Sequence, residues 1–529
     1  MHRSYFSNTP PGNFLIWDIV HVAVARCWVA GSRCGERAEM TRDLQCRSRH
    51  SAPHRWLGAA ILVLLLAAPP MARSAQAGAL ETANVMAPLD MRFNDQARND
   101  FRRQLQTAKA IGVRAVAVDV WWGVVAANGD NQWDWSYYDS LFDDVERAGL
   151  HIVPVMSFHK CGGNVGDTCN IPIPSWIWGE YTSEQPGRSQ FDLMYKSEQD
   201  NFNGETVAIW KDDWVVPKYQ RFMQEFQAHF AAKKAIIDEI SIGTGPAGEL
   251  RYPSYNSHDR GSGWPNRGFF QAYSDPARAD FRAWVLAKYG NLAGVNRAWS
   301  TALKRVDEIG PPDDGTAADG RASTFVQLDD FRGIPYGKDF IDWYNGALVE
   351  HGRRILEMAH ESFGGAFATI PLGIKIPGVH WQMAATASHP RIAEIAAGQI
   401  RTSVDYTGGT SGHGYGATVA MVHRFHNVRA VNLHFTALEM DNCEDTHTCQ
   451  IDASQAKALV FWVAQAADAD QVTIKGENAL AGGVTSDHGW DNIENAFKWA
   501  SYNGLTVLRI GEVTDNTIGR TRYQGLISQ

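Results

Sequence analysis

The sequence predicts an α/β fold, a (β/α)8 TIM barrel with long loops after its strands. Three observations predict it. Eight short β-rich runs recur between residues 85 and 510. Amphipathic helical stretches lie between them, the alternation that builds a parallel sheet. Polar residues with chemical potential fall at the ends of these runs, where barrel enzymes assemble their sites. A doubly wound sheet is the alternative, but no glycine-rich dinucleotide or phosphate loop follows the first run.

The runs are expected as follows. Val85–Leu89 is the first strand. Helix Ala97–Ile111 leads to the second, Arg114–Trp121, and helix Tyr137–Ala148 to the third, Ile152–Phe158. Helix Lys218–Lys234 precedes the fourth, Ile236–Thr244, and helix Tyr344–Phe363 the fifth, Pro371–Pro377. Ala430–Leu438 is the sixth, and Gln471–Gly476 the seventh, after helix Ser454–Ala466. Leu505–Ile510 is the eighth. The segment Tyr289–Tyr336 fits the alternation less well. Its Gly310–Ser323 portion, rich in Gly, Pro and Asp, reads as a solvated excursion.

The N-terminus is expected to lie outside the fold. Leu57–Ala68 is an apolar run preceded by Arg47, Arg49, His54 and Arg55, and small residues follow it to Ala75-Gln76-Ala77. That order is a secretory signal peptide, and the run is short for a membrane span. Residues 1–77 are therefore expected to be removed, with translation starting at Met1 or Met40, and residues 78–529 to form a single domain. The removed part holds nine Arg, no Lys and four acids, so the net charge of −9 becomes −14, with 40 basic against 54 acidic residues. An acidic, exported chain argues against nucleic acid and anionic membranes as partners. Four cysteines remain in two close pairs, Cys161 with Cys169 and Cys443 with Cys449. In an exported chain these read as two local disulfides; a metal site is the alternative, but no Cys-x-x-Cys spacing supports it.

The chemistry concentrates at the strand ends. Glu249 sits in the turn Gly245-Pro246-Ala247-Gly248-Glu249-Leu250-Arg251-Tyr252. Apolar and aromatic neighbours favour its protonated form, as a general acid for glycoside cleavage requires. Asp119 ends the second run and His159 the third. Lys375 and His380 mark the fifth, Thr436 and Glu439 the sixth, Glu477 the seventh and Arg509 the eighth. Lys475, two residues before Glu477, is either its ionising partner or a simple surface charge. The 19 Trp divide between core packing and faces on which sugars stack.

From about Asn84 to Ile510 the chain resembles the β-amylases. The strings Val118–Gly123, Phe158–Asp167 with Asn170–Pro174, Gly245–Tyr255 and Gly476–Leu480 carry the resemblance. It implies exo-acting hydrolysis of α-1,4-glucosidic bonds in starch-type glucans, releasing β-maltose from non-reducing ends. Glu249 would be the acid and Glu477 the base. Asp119, His159, Lys375, His380, Asn478, Ala479 and Arg509 would hold sugar rings. Asp167 would ride on a mobile lid, Gly162–Thr168, and Thr436 on an inner loop. Inversion, which requires carboxyls roughly 6.5–9.5 Å apart rather than about 5–5.5 Å, rests on the resemblance. No cofactor and no metal are expected. Bacterial members often carry calcium after the second strand, but here Ala126 replaces an acid, and Lys218 and Arg221 stand near Asp130. No starch-binding domain and a monomeric, secreted protein are expected. His434 and Ala437 depart from the family's usual inner-loop Asn and Cys. Alternative functions are another two-glutamate barrel glycosidase, β-galactosidase-like, on the strength of Tyr289–Tyr336, and a catalytically silent sugar sensor.

Overall fold

The computed structural model describes residues 80–164, 167–255, 259–312, 323–401 and 414–529. The expected signal segment and most of the Gly310–Ser323 excursion lie outside the described residues. Eight parallel strands close into a barrel. They are β1 (Thr82–Met86), β2 (Ala115–Trp121), β3 (His151–Ser157), β4 (Ile240–Ile242), β5 (Leu372–Ile376), β6 (Val431–Phe435), β7 (Ile474–Glu477) and β8 (Tyr502–Val507). Each pairs with its sequence neighbours, and β1 closes on β8 through Thr82↔Gly504 to Val85↔Val507.

Side-chain alternation divides the strands between two environments. On β2, Val116, Val118 and Val120 join the large core between barrel and helices. Ala115 and Ala117 face the lumen, where they pack with Met86, Val153 and Leu508. The opposite side of the lumen is polar. Glu239, just before β4, is fully buried and takes Lys475 Nζ at 2.7 Å, Asn432 Nδ2 at 2.6 Å and His434 Nε2 at 2.5 Å. Burial alone would raise the Glu239 carboxyl, but His434 and Lys475 together hold it down at about 2. Lys475 is thus neither a surface charge nor the partner of Glu477. Same-face residues on a strand lie roughly 6.6 Å apart along it, so Lys475 sits one layer deeper and meets Glu239.

Five strands depart from expectation, two of them at one end: β6 stops at Phe435, three residues before Leu438, and β7 starts at Ile474, three after Gln471. β1 begins and ends three residues earlier, because Ala87-Pro88 leaves the ladder and Asn84, polar but lumen-facing, belongs to it. β4 is shortened because Ala231–Ile236 forms a 3-10 turn that continues the helix Asp212–Phe230. β8 starts at Tyr502 and includes Gly504, whose Cβ would meet Thr82 Oγ1 at 2.2 Å.

The helices match the periodicity, with the long Pro335–Ser362 starting earlier than expected because Pro335 opens its first turn. Within Tyr289–Tyr336, Asn291 caps a helix over Leu292–Trp299 by accepting from Gly294 N. Both expected disulfides are formed, Cys161–Cys169 and Cys443–Cys449. Near Ala126, Asp130 pairs with Arg221 and lies 3.7 Å from Lys218, which also pairs with Glu180.

Candidate active site

The carboxyl ends of the strands open into one pocket of about 830 Å³. All eleven catalytic and sugar-contacting residues expected from the sequence line it. Each is placed by its strand. Asp119, near the end of β2, points inward and accepts from Ser157 Oγ at 2.7 Å. Burial raises its carboxyl above the ordinary range. His159, two residues past β3, packs edge-on against Trp121 with ring centroids 5.0 Å apart. Burial, aided by the cations of Arg251 and Lys375, lowers it to about 3, so it is neutral. His380 is likewise lowered to about 4 by burial and holds Ser454 Oγ at 2.8 Å. Two neutral imidazoles suit hydroxyl groups better than charges.

Glu249 and Glu477 occupy contrasting environments. Glu249 follows a tight 3-10 turn, Pro246–Gly248, in which Ala247 takes φ 56°. Its backbone bridges Lys375 on β5. Burial pushes its carboxyl up, outweighing the opposing pull of Arg251 and Lys375. Glu477 ends β7, and both its oxygens face the Lys375 ammonium, Oε1 at 2.9 Å and Oε2 at 2.7 Å. The cation beside Glu477 is therefore Lys375, from the neighbouring half of the barrel, and not Lys475.

The flanking loops are pinned by polar contacts. Thr436 Oγ1 accepts from Gly378 N at 2.9 Å, tying the loop after β6 to the loop after β5. Asn478 Oδ1 accepts from Leu508 N at 2.8 Å, and Ala479 N donates to Glu439 Oε2 at 2.9 Å. Arg509 lies past the end of β8, not on it, with φ 75°. Asp167 accepts from Gly162 N at 3.0 Å and Asn164 N at 3.1 Å, tying together the loop between Cys161 and Cys169.

Three charged groups matter more than the sequence suggested. Arg251, 2% exposed, donates from Nε to Glu249 Oε2 at 2.7 Å. Its signal was the period of two that sets residues 249 and 251 on one side of an extended segment. Glu205 is buried beside it, in a stretch with no pattern to mark it. Glu439, noted only as a strand-end residue, is raised to about 7 by burial and bonds the backbone N–H of both Ala479 and Leu480. It anchors the chain just after Glu477. At the pocket mouth Trp264 is 56% exposed, and Tyr255 and Trp381 pack edge-to-face behind it.

Residues 84–525 match the model of glycosyl hydrolase family 14. The chain belongs to that family. Family 14 relatives include a β-amylase of Cytobacillus firmus, 38% identical over 82% of this chain and 83% of its own length. A β-amylase of Niallia circulans is 38% identical over 84% of this chain and 69% of its own. The solved catalytic domain of the Paenibacillus polymyxa β-amylase superposes with a TM-score of 0.70 at 36% identity, covering 85% of this chain and 99% of that domain. The family span includes residues 289–336, which removes the ground for the β-galactosidase-like alternative.

Proposed function

We propose that this family 14 enzyme cuts α-1,4-glucosidic bonds of starch-type glucans from the non-reducing end and releases β-maltose, with Glu249 as general acid and Glu477 as general base. The observation that carries the assignment is the contrast between two carboxyls in one pocket. Burial favours the protonated form of Glu249, while an ammonium faces both oxygens of Glu477. Two carboxyls in such unlike surroundings divide into acid and base.

Glu249 gives its proton to the leaving glycosidic oxygen. Glu477 takes a proton from a water on the opposite ring face, and that water's oxygen bonds the anomeric carbon with inversion. Lys375 holds both oxygens of Glu477 in place. Asp119, neutral His159 and His380, and the guanidinium of Arg509 bind sugar hydroxyls. Asn478, Ala479 and Thr436 shape the floor from loops that Glu439 and the Gly378 contact hold in place. Aromatic faces at Trp264 and Tyr255 offer stacking for rings at the mouth. A pocket walled by the Cys161–Cys169 loop admits a chain end more readily than a chain middle. Export after cleavage behind Ala77, action as a monomer, and independence from metal, nucleic acid and membrane complete the proposal.

The test is product analysis on amylose. Proton NMR during the first minutes is expected to show maltose alone, in the β anomer, with solution viscosity falling slowly. The α anomer, or a mixture of oligosaccharides, would refute the assignment. Glu249→Gln and Glu477→Gln are each expected to lose about 10²–10⁴-fold or more in kcat while still binding maltooligosaccharide. N-terminal sequencing of the exported protein checks the cleavage site.

A further inference from the structure

The side chain of Glu249 is connected to the Cys161–Cys169 loop by a short hydrogen-bonded chain. Arg251 donates from Nε to Glu249 Oε2 at 2.7 Å and from Nη2 to Asn164 Oδ1 at 3.0 Å. The amide of Asn164 turns its other end to Glu205, donating to Oε1 at 3.0 Å, and to Asp167 Oδ2 at 3.3 Å. Ala247 N, two residues before the acid, also reaches Glu205 Oε1, at 3.3 Å. The guanidinium lies 4.4 Å over the Tyr255 ring, which fixes its plane.

Arg251 therefore sits between two buried carboxyls, Glu249 and Glu205, and both attract it. A guanidinium has a rigid fork of donors, so a turn toward one carboxylate is a turn away from the other. The Asn164 amide stands between Arg251 and Glu205, accepting from the first and donating to the second. It separates the two charges and aims Nε at Glu249.

We propose that Arg251 is a positioning residue through which Asn164 governs the acid, deciding whether the guanidinium serves Glu249 or Glu205. With Asn164 in place, the guanidinium grips Glu249 and opposes the protonation that burial favours. Loss of the Asn164 contact lets the guanidinium turn to Glu205, and Glu249 then keeps its proton to higher pH. This rests on Glu249 being the acid. The other charged groups facing Glu249 are Lys375 from β5 and Glu477 from β7. Glu205 also faces Asp167. His159, near Gly248, is neutral. None of these is altered by the variants below except Glu205.

The experiment is the pH profile of kcat/KM on a maltooligosaccharide of fixed length. Its alkaline limb reports loss of the acid's proton. Asn164→Ala is expected to move that limb up by roughly half a pH unit, and Arg251→Lys, which keeps the charge but loses the fork, to move it the same way. Glu205→Gln removes the competing carboxylate and is expected to move the limb down. The acid-side limb, governed by the base, stays in place in all three. A purely structural role would not give shifts of opposite sign. An unmoved alkaline limb in Asn164→Ala, or the same direction in Asn164→Ala and Glu205→Gln, overturns the coupling. Should Glu205→Gln fail to fold, Asn164→Ala alone decides. Turnover by Glu249→Gln within a few-fold of wild type would instead remove the acid assignment, a separate failure.

Discussion

Lys375 is the residue on which the two carboxyls converge. Its ammonium lies on both oxygens of Glu477, while its backbone bridges Glu249. Glu249 is gripped instead by Arg251, and burial still raises its carboxyl. A sign follows for the pH dependence. A raised pKa keeps Glu249 protonated beyond the range of an ordinary glutamic acid, so kcat/KM should hold up as pH rises past about 4.3, the free value, and fall only on the far side of the raised one. An initial-rate profile checks this. An alkaline limb centred at or below the ordinary glutamate value would contradict it. Residue by residue, the site was legible because the strings around Glu249, Glu477 and Asp167 are long and chemically uncommon. Lys475 was misread because a sequence shows which face a strand residue takes but not how deep in a lumen it lies. Glu205 was invisible because a lone acid in an irregular segment has no period to reveal it.

Among the elements, the loop from Cys161 to Cys169 connects stability to action. A closed loop of eight intervening bonds along the chain removes roughly 2–3 kcal/mol of unfolded-state entropy, a modest share for a chain of this size. The larger effect is on placement. Gly162 at φ 99° lies so close to Cys169 that a Cβ would meet the Cys169 carbonyl oxygen at 2.4 Å. Cys161→Ser with Cys169→Ser is expected to raise KM or lower kcat severalfold while the melting temperature drops by only a few degrees. Unchanged kinetic constants in the double variant would leave the bond a mere fastener. Gly162→Ala should damage the kinetics similarly with the disulfide intact. Element boundaries were read least well where the lumen intervened. Asn503-Gly504 looks like a turn, yet Gly504 is a strand residue that must be small because Thr82 and Lys475 press on it. Asn84 looks too polar for a strand, yet β1 runs through it.

Across the whole molecule, the barrel interior is divided into an apolar side around Ala115, Ala117 and Val153 and a charged side around Glu239. The charged side carries a stability prediction. The folded-state pKa of Glu239, about 2, lies below its unfolded value of 4.5. Its contribution is therefore complete above that unfolded value and is lost as pH falls through the interval toward 2. Glu239→Gln leaves Lys475 buried without its counter-charge. It should cost about 3–5 kcal/mol, the usual penalty for breaking a buried pair from one side, and flatten the acid limb of stability against pH. Urea unfolding at several pH values checks both. A loss under about 1 kcal/mol would mean that solvent reaches the cluster. The barrel itself was readable from alternation and strand-end chemistry, since eight runs at helix-sized spacing leave few topologies. The lumen's division was not, because it arises from residues on or beside β1, β2, β3, β4, β6 and β7 that meet only after closure.

Closure has a further consequence, which concerns order in time. The ladder between Thr82–Val85 and Gly504–Val507 joins the earliest strand to the latest. Glu477 pairs through its backbone with Thr506 of that same final strand. A growing chain that has emerged only as far as β7 already holds the acid, its arginine and the lysine between the carboxyls, but not the neighbour that sets its base. The last strand to be made is the one that completes the catalyst.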